Sequence, residues 1–133
     1  MSLPCKCSKA VSVPVALITT LLWAGPVLAV TWIDGTVATL QALDKITARI
    51  SSVEAPVGTV QSFGTLEITV NRCAFHPPEE PPENAAFISV KDIGYAGQTP
   101  RDVFSGWMFS SSPAVSALEH PVYDITVLSC NAG

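Results

Sequence analysis

At 133 residues the chain has room for one domain and a thin margin of core. Its 7 basic and 11 acidic side chains give a formal charge of −4. That balance argues against binding nucleic acid or an anionic lipid surface, where Lys and Arg must meet phosphates.

Residues 1–29 read as a secretory signal peptide. Lys6 and Lys9 form a cationic start, and an apolar run follows from Ala10 through Trp23. Val27-Leu28-Ala29 supplies small side chains three and one before a cut, so cleavage is expected after Ala29. The alternative is a retained signal anchor. The stretch from Ala10 to Ile33 is long enough to cross a bilayer, although Pro14, Gly25 and Pro26 weaken a continuous helix. A lipoprotein anchor is disfavoured, because Cys5 and Cys7 precede the apolar run.

Cleavage leaves residues 30–133 as a single β domain. Losing Lys6 and Lys9 takes its formal charge from −4 to −6. Cys73 and Cys130 are the cysteines that remain. In an oxidising compartment a lone pair is most simply a disulfide. Closing that loop stabilises by about 4 kcal/mol in the chain-entropy model. A redox or metal-binding pair is the alternative, but no second motif cysteine or clustered histidine accompanies either one.

Val30 to Thr36 is a short lead containing Trp32. Val37 to Leu43 is apolar at mixed spacing and reads as one helical turn or an irregular arm. From Lys45 the period becomes two: Ile46, Ala48 and Ile50 share one face, and Lys45, Thr47, Arg49 and Ser51 the other. Pro56-Val57-Gly58 makes a turn, and Thr59 to Phe63 is a second strand ended by Gly64. Leu66, Ile68 and Val70 alternate with Glu67, Thr69 and Asn71 in the clearest strand of the chain, which runs into Cys73. The loop from His76 to Asn84 holds Pro77, Pro78, Pro81 and Pro82, which exclude helix and favour an extended polyproline II path.

Ala86, Ile88 and Val90 form one face of the next strand. Gly94 to Pro100 is turn-rich, and Val103 to Phe109 is an aromatic strand. Ser110 to Glu119 reads as a loop with one helical turn from Pro113 through Leu118, N-capped by Ser112. Val122 to Leu128 closes the domain and delivers Cys130. About six strands with turn signals between them predict an all-β fold, a small antiparallel β-sandwich or barrel.

Four stretches carry a family resemblance: Ala42 to Gly58, Phe63 to Val70, Pro77 to Phe87, and Val103 to Ile125. Together they resemble a family of exported alphaproteobacterial proteins known as domain of unknown function 2155. The resemblance implies a signal peptide, two retained cysteines and a Gram-negative envelope. It implies no activity, cofactor or catalytic residue.

Two surfaces are candidates for binding. The first is the acidic, pre-extended loop with Glu79, Glu80 and Glu83, which would bind at small ordering cost; the plainer reading is a stiff connector. Calcium binding there is weaker, since the prolines hinder wrapping. The second is the aromatic strand, where Trp107 and Phe109 share a face with Ser105. Phe104, Gly106 and Met108 share the other; one of the two faces is core, and the remaining one is either covered by the Ser/Pro loop, the favoured reading, or an exposed apolar patch.

Ser110 to Ser112, Glu119, His120 and Asp124 include the residue types of a hydrolase triad, without a nucleophile-elbow motif. His120 before Pro121 reads more simply as a turn residue that bonds backbone. A zinc site from His76 and His120 lacks a third ligand of definite spacing. The expectation is a non-enzymatic periplasmic binding, accessory or assembly protein of an envelope complex. It takes a protein partner, no cofactor, no metal and no nucleic acid, and touches the membrane only through an uncleaved N-terminus. The alternatives are an envelope hydrolase using His120 and a membrane-anchored accessory subunit.

Overall fold

The computed structural model describes residues 25–133, together with residues 2, 4 and 10. The charged start and apolar run of the expected signal peptide, or anchor, lie outside the described residues apart from those three.

Among the described residues the domain is all-β, with eight strands in two antiparallel sheets. They are β1 (Ile33–Gly35), β2 (Val37–Asp44), β3 (Arg49–Pro56), β4 (Val60–Phe63), β5 (Leu66–Phe75), β6 (Asn84–Asp92), β7 (Arg101–Phe109) and β8 (Tyr123–Asn131). The five-stranded sheet runs β1-β5-β6-β7, with β4 also paired to β5. β1 takes one end of β5, at Cys73 to Phe75, and β4 takes the other, at Leu66 to Thr69. The three-stranded sheet runs β3-β2-β8.

The core lies between the sheets. Ala38, Leu40 and Ala42 of β2 and Ile125 and Val127 of β8 meet Leu66, Ile68 and Val70 of β5, Ala86, Ile88 and Val90 of β6, and Met108 of β7; all are buried. Each set alternates along its strand, as a sheet with one buried face requires. A bulge between Val70 and Arg72 reverses the phase of β5. Beyond it Cys73 points inward, and Arg72 and Ala74 point outward.

Two strand expectations need correction. Val37 to Leu43 is neither a helical turn nor an irregular arm but most of β2, the central strand of its sheet. Its inward set is Ala38, Leu40 and Ala42; the outward Val37 and Leu43 are apolar too and blur the alternation. Lys45 to Ala48 is a turn, and β3 starts only at Arg49. Asp44 Oδ1 accepts the N–H groups of Ile46 (2.9 Å) and Thr47 (3.2 Å), and Ala48 takes a left-handed φ of 56°. Ile46 and Ile50 are therefore exposed, at 75% and 60%, and the buried-face residues of β3 are those opposite Leu40 and Ala38, namely Val53 and Ala55.

Both loops also differ from expectation. Residues 77–83 do not follow one extended path. Glu80 N donates to the Pro77 carbonyl (3.0 Å) and His76 N to the Glu83 carbonyl (3.0 Å), folding the loop into a closed connection. A hairpin joining adjacent strands must return its ends to strand spacing, and that overrides the local polyproline preference. Residues 113–115 form one turn and 116–118 are irregular, without a helix; Val115 N bonds the Ser112 carbonyl (3.1 Å), and Leu118 is drawn into the core.

Cys73 on β5 is bonded to Cys130 on β8, with Cα atoms 5.9 Å apart, so the pair links the two sheets. Gly35 is opposite Cys73 in β1, and a Cβ there would collide with both sulfurs and the Asn131 carbonyl. The close approach of β1 to the disulfide needs a residue without a side chain.

Candidate functional site

The outward face of the five-stranded sheet is divided. Antiparallel pairing places directly opposed residues in rows across it. Near the Gly64 turn the rows are polar. Glu67, Lys91 and Asp102 form one row; Thr69, Ser89 and Ser105 form the next, with Asn71 Nδ2 donating to Ser89 Oγ (2.8 Å). Past the β5 bulge the rows become Arg72–Phe87–Trp107 and Asp34–Ala74–Ala85–Phe109.

This second half holds an open groove of about 390 Å³, lined by Trp32, Arg72, Ala74, Ala85, Trp107 and Phe109. Its depth comes from side-chain size, because two alanines sit side by side among aromatic rings. Phe87 meets Trp107 edge to face, with centroids 5.6 Å apart, which orients the indole. Trp32 reaches in from the segment before β1 and packs edge-on against His76 at 4.2 Å. Arg72 is tied to Asp34, with Nη2 at 2.8 Å and Nε at 3.0 Å from the same oxygen. Trp107 remains 37% exposed and Trp32 43%. The outward side of the aromatic strand is thus an exposed patch rather than a face covered by the Ser/Pro loop. The covered residue is Met108, on the inner side.

The three glutamates of the loop have different roles. Glu79 projects into solvent. Glu80 accepts the Thr31 N–H at both oxygens (3.1 and 3.2 Å), which fastens the Trp32 segment to the loop. His76 Nδ1 lies 2.8 Å from the Pro81 carbonyl, so that nitrogen carries the hydrogen and donates. Glu83 turns back on the fold. Its Oε1 accepts from Asn84 N (3.0 Å), Ser110 Oγ (3.0 Å) and Ser111 N (3.1 Å), and its Oε2 accepts from Ser111 Oγ. Burial raises the Glu83 pKa and is the largest single influence, but these donors together outweigh it and leave the carboxyl below its ordinary value. Asn84 Oδ1 then accepts Cys130 N (3.0 Å), connecting the loop to the disulfide.

His120 lies at the other end of the sheet, buried, with its ring stacked on Tyr123 at 5.2 Å. Nδ1 accepts the N–H groups of Val122 and Tyr123, both at 3.1 Å. That assigns the ring hydrogen to Nε2, which donates to Asp92 Oδ2 (3.0 Å). His120 thus bonds backbone, as its place before Pro121 suggests. Asp92 also accepts Gly94 N–H (2.9 Å). Hydrogen bonding from His120, then from Gly94, holds the Asp92 carboxyl down to about 2 against the opposing effect of burial. Both His120 nitrogens are engaged, so neither is free to take a proton from a hydroxyl.

The triad candidates are not gathered. Ser110 and Ser111 bond Glu83, whereas His120 bonds Asp92 at the far end of β6. His76 and His120 are likewise at opposite ends of the β5–β6 hairpin, and no group of three His, Cys, Asp or Glu among the described residues could hold a metal ion.

Trp32, Arg72, Ala74, Ala85 and Asp92 were absent from the sequence-based candidates. Trp32 carried a signal, as the lone aromatic residue of the short lead from Val30 to Thr36. The alanines carried none, because their role depends on cross-strand neighbours.

Fold and site together define a small disulfide-linked β-sandwich with an aromatic groove on one sheet face. The chain belongs to the family described as "Uncharacterized protein conserved in bacteria (DUF2155)", which it matches over residues 38–130. It is 30% identical over 89 residues to "Uncharacterized protein RP359" of Rickettsia prowazekii (strain Madrid E). That match covers 67% of this chain and 57% of the relative, so the chain spans little more than half of that protein's length. No solved structure matches it.

Proposed function

We propose that the protein is a non-enzymatic binding module of the bacterial cell envelope, exported to the periplasm and serving as an accessory or assembly factor. The groove between Trp32 and Trp107 is the observation that carries this reading. Isolated exposed apolar residues are ordinary, but aromatic rings grouped around a small-residue floor are a typical binding patch. Trp, Phe and Arg are also the residue types enriched at the centres of protein interfaces. The disulfide supports an oxidising compartment. The Val27-Leu28-Ala29 site and the start of the chain support export.

The ligand in this reading is a protein segment that places apolar side chains over Ala74 and Ala85. Trp32 forms one wall, held through Thr31 by Glu80; Trp107 and Phe109 form the other. Glu79 lends the adjoining loop a negative field suited to a basic neighbour.

Crosslinking from envelope fractions followed by affinity capture tests the proposal. The parent should retain at least one partner reproducibly. Trp107→Ala should lose it while keeping a normal melt, and so should Ala85→Leu, which fills the groove floor. Equal capture by both folded variants would remove the groove from the mechanism.

A further inference from the structure

Sheet edges expose unpaired backbone groups, and among the described residues the edges of this fold are blunted to different degrees. β1 and β4 are three and four residues long. β3 carries Arg49, Glu54 and Pro56. At β8 the Cys130 N–H is taken by Asn84 Oδ1, and Asp124 sits near the start of the strand. β7 is the terminal strand of the larger sheet. Its charged start, Arg101 and Asp102, is followed by a bulge at the Val90/Lys91 register shift. The next six residues, Phe104 to Phe109, contain no charge and no proline.

The phase of the backbone along that run follows from one bond. Ser110 N donates to the Asn84 carbonyl (2.8 Å), one step beyond the Ala85–Phe109 pair, so the register extends to a bonded Asn84–Ser110 pair. Antiparallel ladders alternate bonded and non-bonded pairs. The bonded pairs are therefore Met108–Ala86, Gly106–Ile88 and Phe104–Val90, and the N–H and C=O groups of Ser105 and Trp107 point away from β6. No strand among the described residues takes them up.

We infer that β7 pairs with β7 of a second copy, across a twofold axis at Gly106. Antiparallel pairing on that axis sets Ser105 opposite Trp107 of the other copy, and Trp107 opposite its Ser105. Both pairs are of the outward-pointing type, so the register supplies four backbone hydrogen bonds. Phe104 then faces Met108, and Val103 faces Phe109, with no like charges opposed. Gly106 meets Gly106 at the axis, where a non-bonded pair brings Cα atoms closest and a side chain would crowd most. The edge thus fits itself, which is the requirement of an isologous interface. The pairing joins two five-stranded sheets into one and sets the two grooves side by side.

The inference stands apart from the proposed envelope partner. Its test uses the exported protein purified after processing, with sedimentation equilibrium across a concentration series. A reversible dimer is expected. Ser105→Pro removes one outward donor per copy without touching the β6 ladder, because proline is tolerated where an edge N–H faces solvent. Dimer dissociation should rise about tenfold or more, on the scale of two lost hydrogen bonds. Spin labels on Ser105→Cys give an independent readout. The proposed register places the two sites diagonally, with Cα atoms about 7–8 Å apart, and predicts strong dipolar broadening. A protein that stays monomeric throughout the series would overturn the inference. So would a dimer with unbroadened labels, or one that a folded Ser105→Pro leaves intact. A dimer whose parent captures no envelope partner, or whose folded groove variants capture it equally, would count against the proposed function alone.

Discussion

The two ends of the larger sheet carry two polar clusters with opposite surroundings. At the Gly64-turn end, His120 and Asp92 are packed beside Tyr123, and every polar atom of the imidazole is engaged. At the loop end, Glu83 gathers Ser110 and Ser111 in the same manner, but aromatic side chains beside it stay open to solvent. The His–Asp pair is the one whose composition suggests catalysis, yet it is the more completely satisfied. Function is better sought where apolar surface lacks cover than where titratable groups are already bonded. Both carboxylates tie an irregular segment to a sheet, and only the loop-end cluster also positions a groove.

Breaking the covalent link at the loop end should have the largest effect. Replacing both Cys73 and Cys130 by alanine should cost about 2–5 kcal/mol in denaturant unfolding of the oxidised protein. Gly35→Val should also be strongly destabilising with the disulfide intact, because its side chain must displace the bridge or the Asn131 carbonyl. A valine variant as stable as the parent would mean that β1 does not pack against the disulfide.

The buried cluster at the other end comes next. His120→Ala leaves the Asp92 carboxylate and the Val122 and Tyr123 N–H groups without their partner, at a cost of about 1–3 kcal/mol. Partner capture should persist in the folded variant, in contrast to Trp107→Ala. The pH dependence has a definite sign. Asp92 is held at about 2, below the 3.8 of an unperturbed aspartate, so its contribution is complete above about 4 and is lost as pH falls towards 2. Asp92→Asn should flatten that part of the acid limb of a stability profile. An unchanged limb would show that the pair contributes little to acid stability.

The strands with clean alternation were legible in the sequence, and so was the all-β class. Leu66, Ile68 and Val70 and Ala86, Ile88 and Val90 are buried on one face each. β2 was obscured because apolar side chains occupy both its faces, and a period of two is then weak. The apparent strand from Lys45 to Ser51 failed in its first half, Lys45 to Ala48, for a different reason: one aspartate, Asp44, captures two backbone N–H groups and interrupts pairing until Arg49. Trp107 and Phe109 were recognisable as a shared face. The groove was not, since it depends on the β5 bulge that turns Arg72 and Ala74 outward and on Trp32 arriving from another segment. Such features arise from register, which local pattern does not specify.

The smallest expected effects separate the glutamates of one loop. As a stiff connector with an acidic surface, the loop would tolerate Gln at all three positions equally. The geometry argues otherwise. Glu79 is exposed on the loop, so Glu79→Gln should change stability by less than about 0.5 kcal/mol. Glu83 accepts four hydrogen bonds, and a glutamine supplies one carbonyl oxygen and a donor where Ser111 Oγ now finds an acceptor. Glu83→Gln should therefore cost about 0.5–1.5 kcal/mol. Its carboxyl is held below its ordinary value, so the parent's advantage should be present above the unfolded glutamate pKa and shrink as pH falls through the folded one. Glu80→Gln keeps an acceptor for Thr31 N–H but loses charge assistance, which should loosen Trp32 more than the domain. Indole fluorescence and a thermal melt on the three single variants resolve the order. Equal melts for Glu79→Gln and Glu83→Gln would mean that the Glu83 cluster does not hold the loop, and the groove's shape would then need another support.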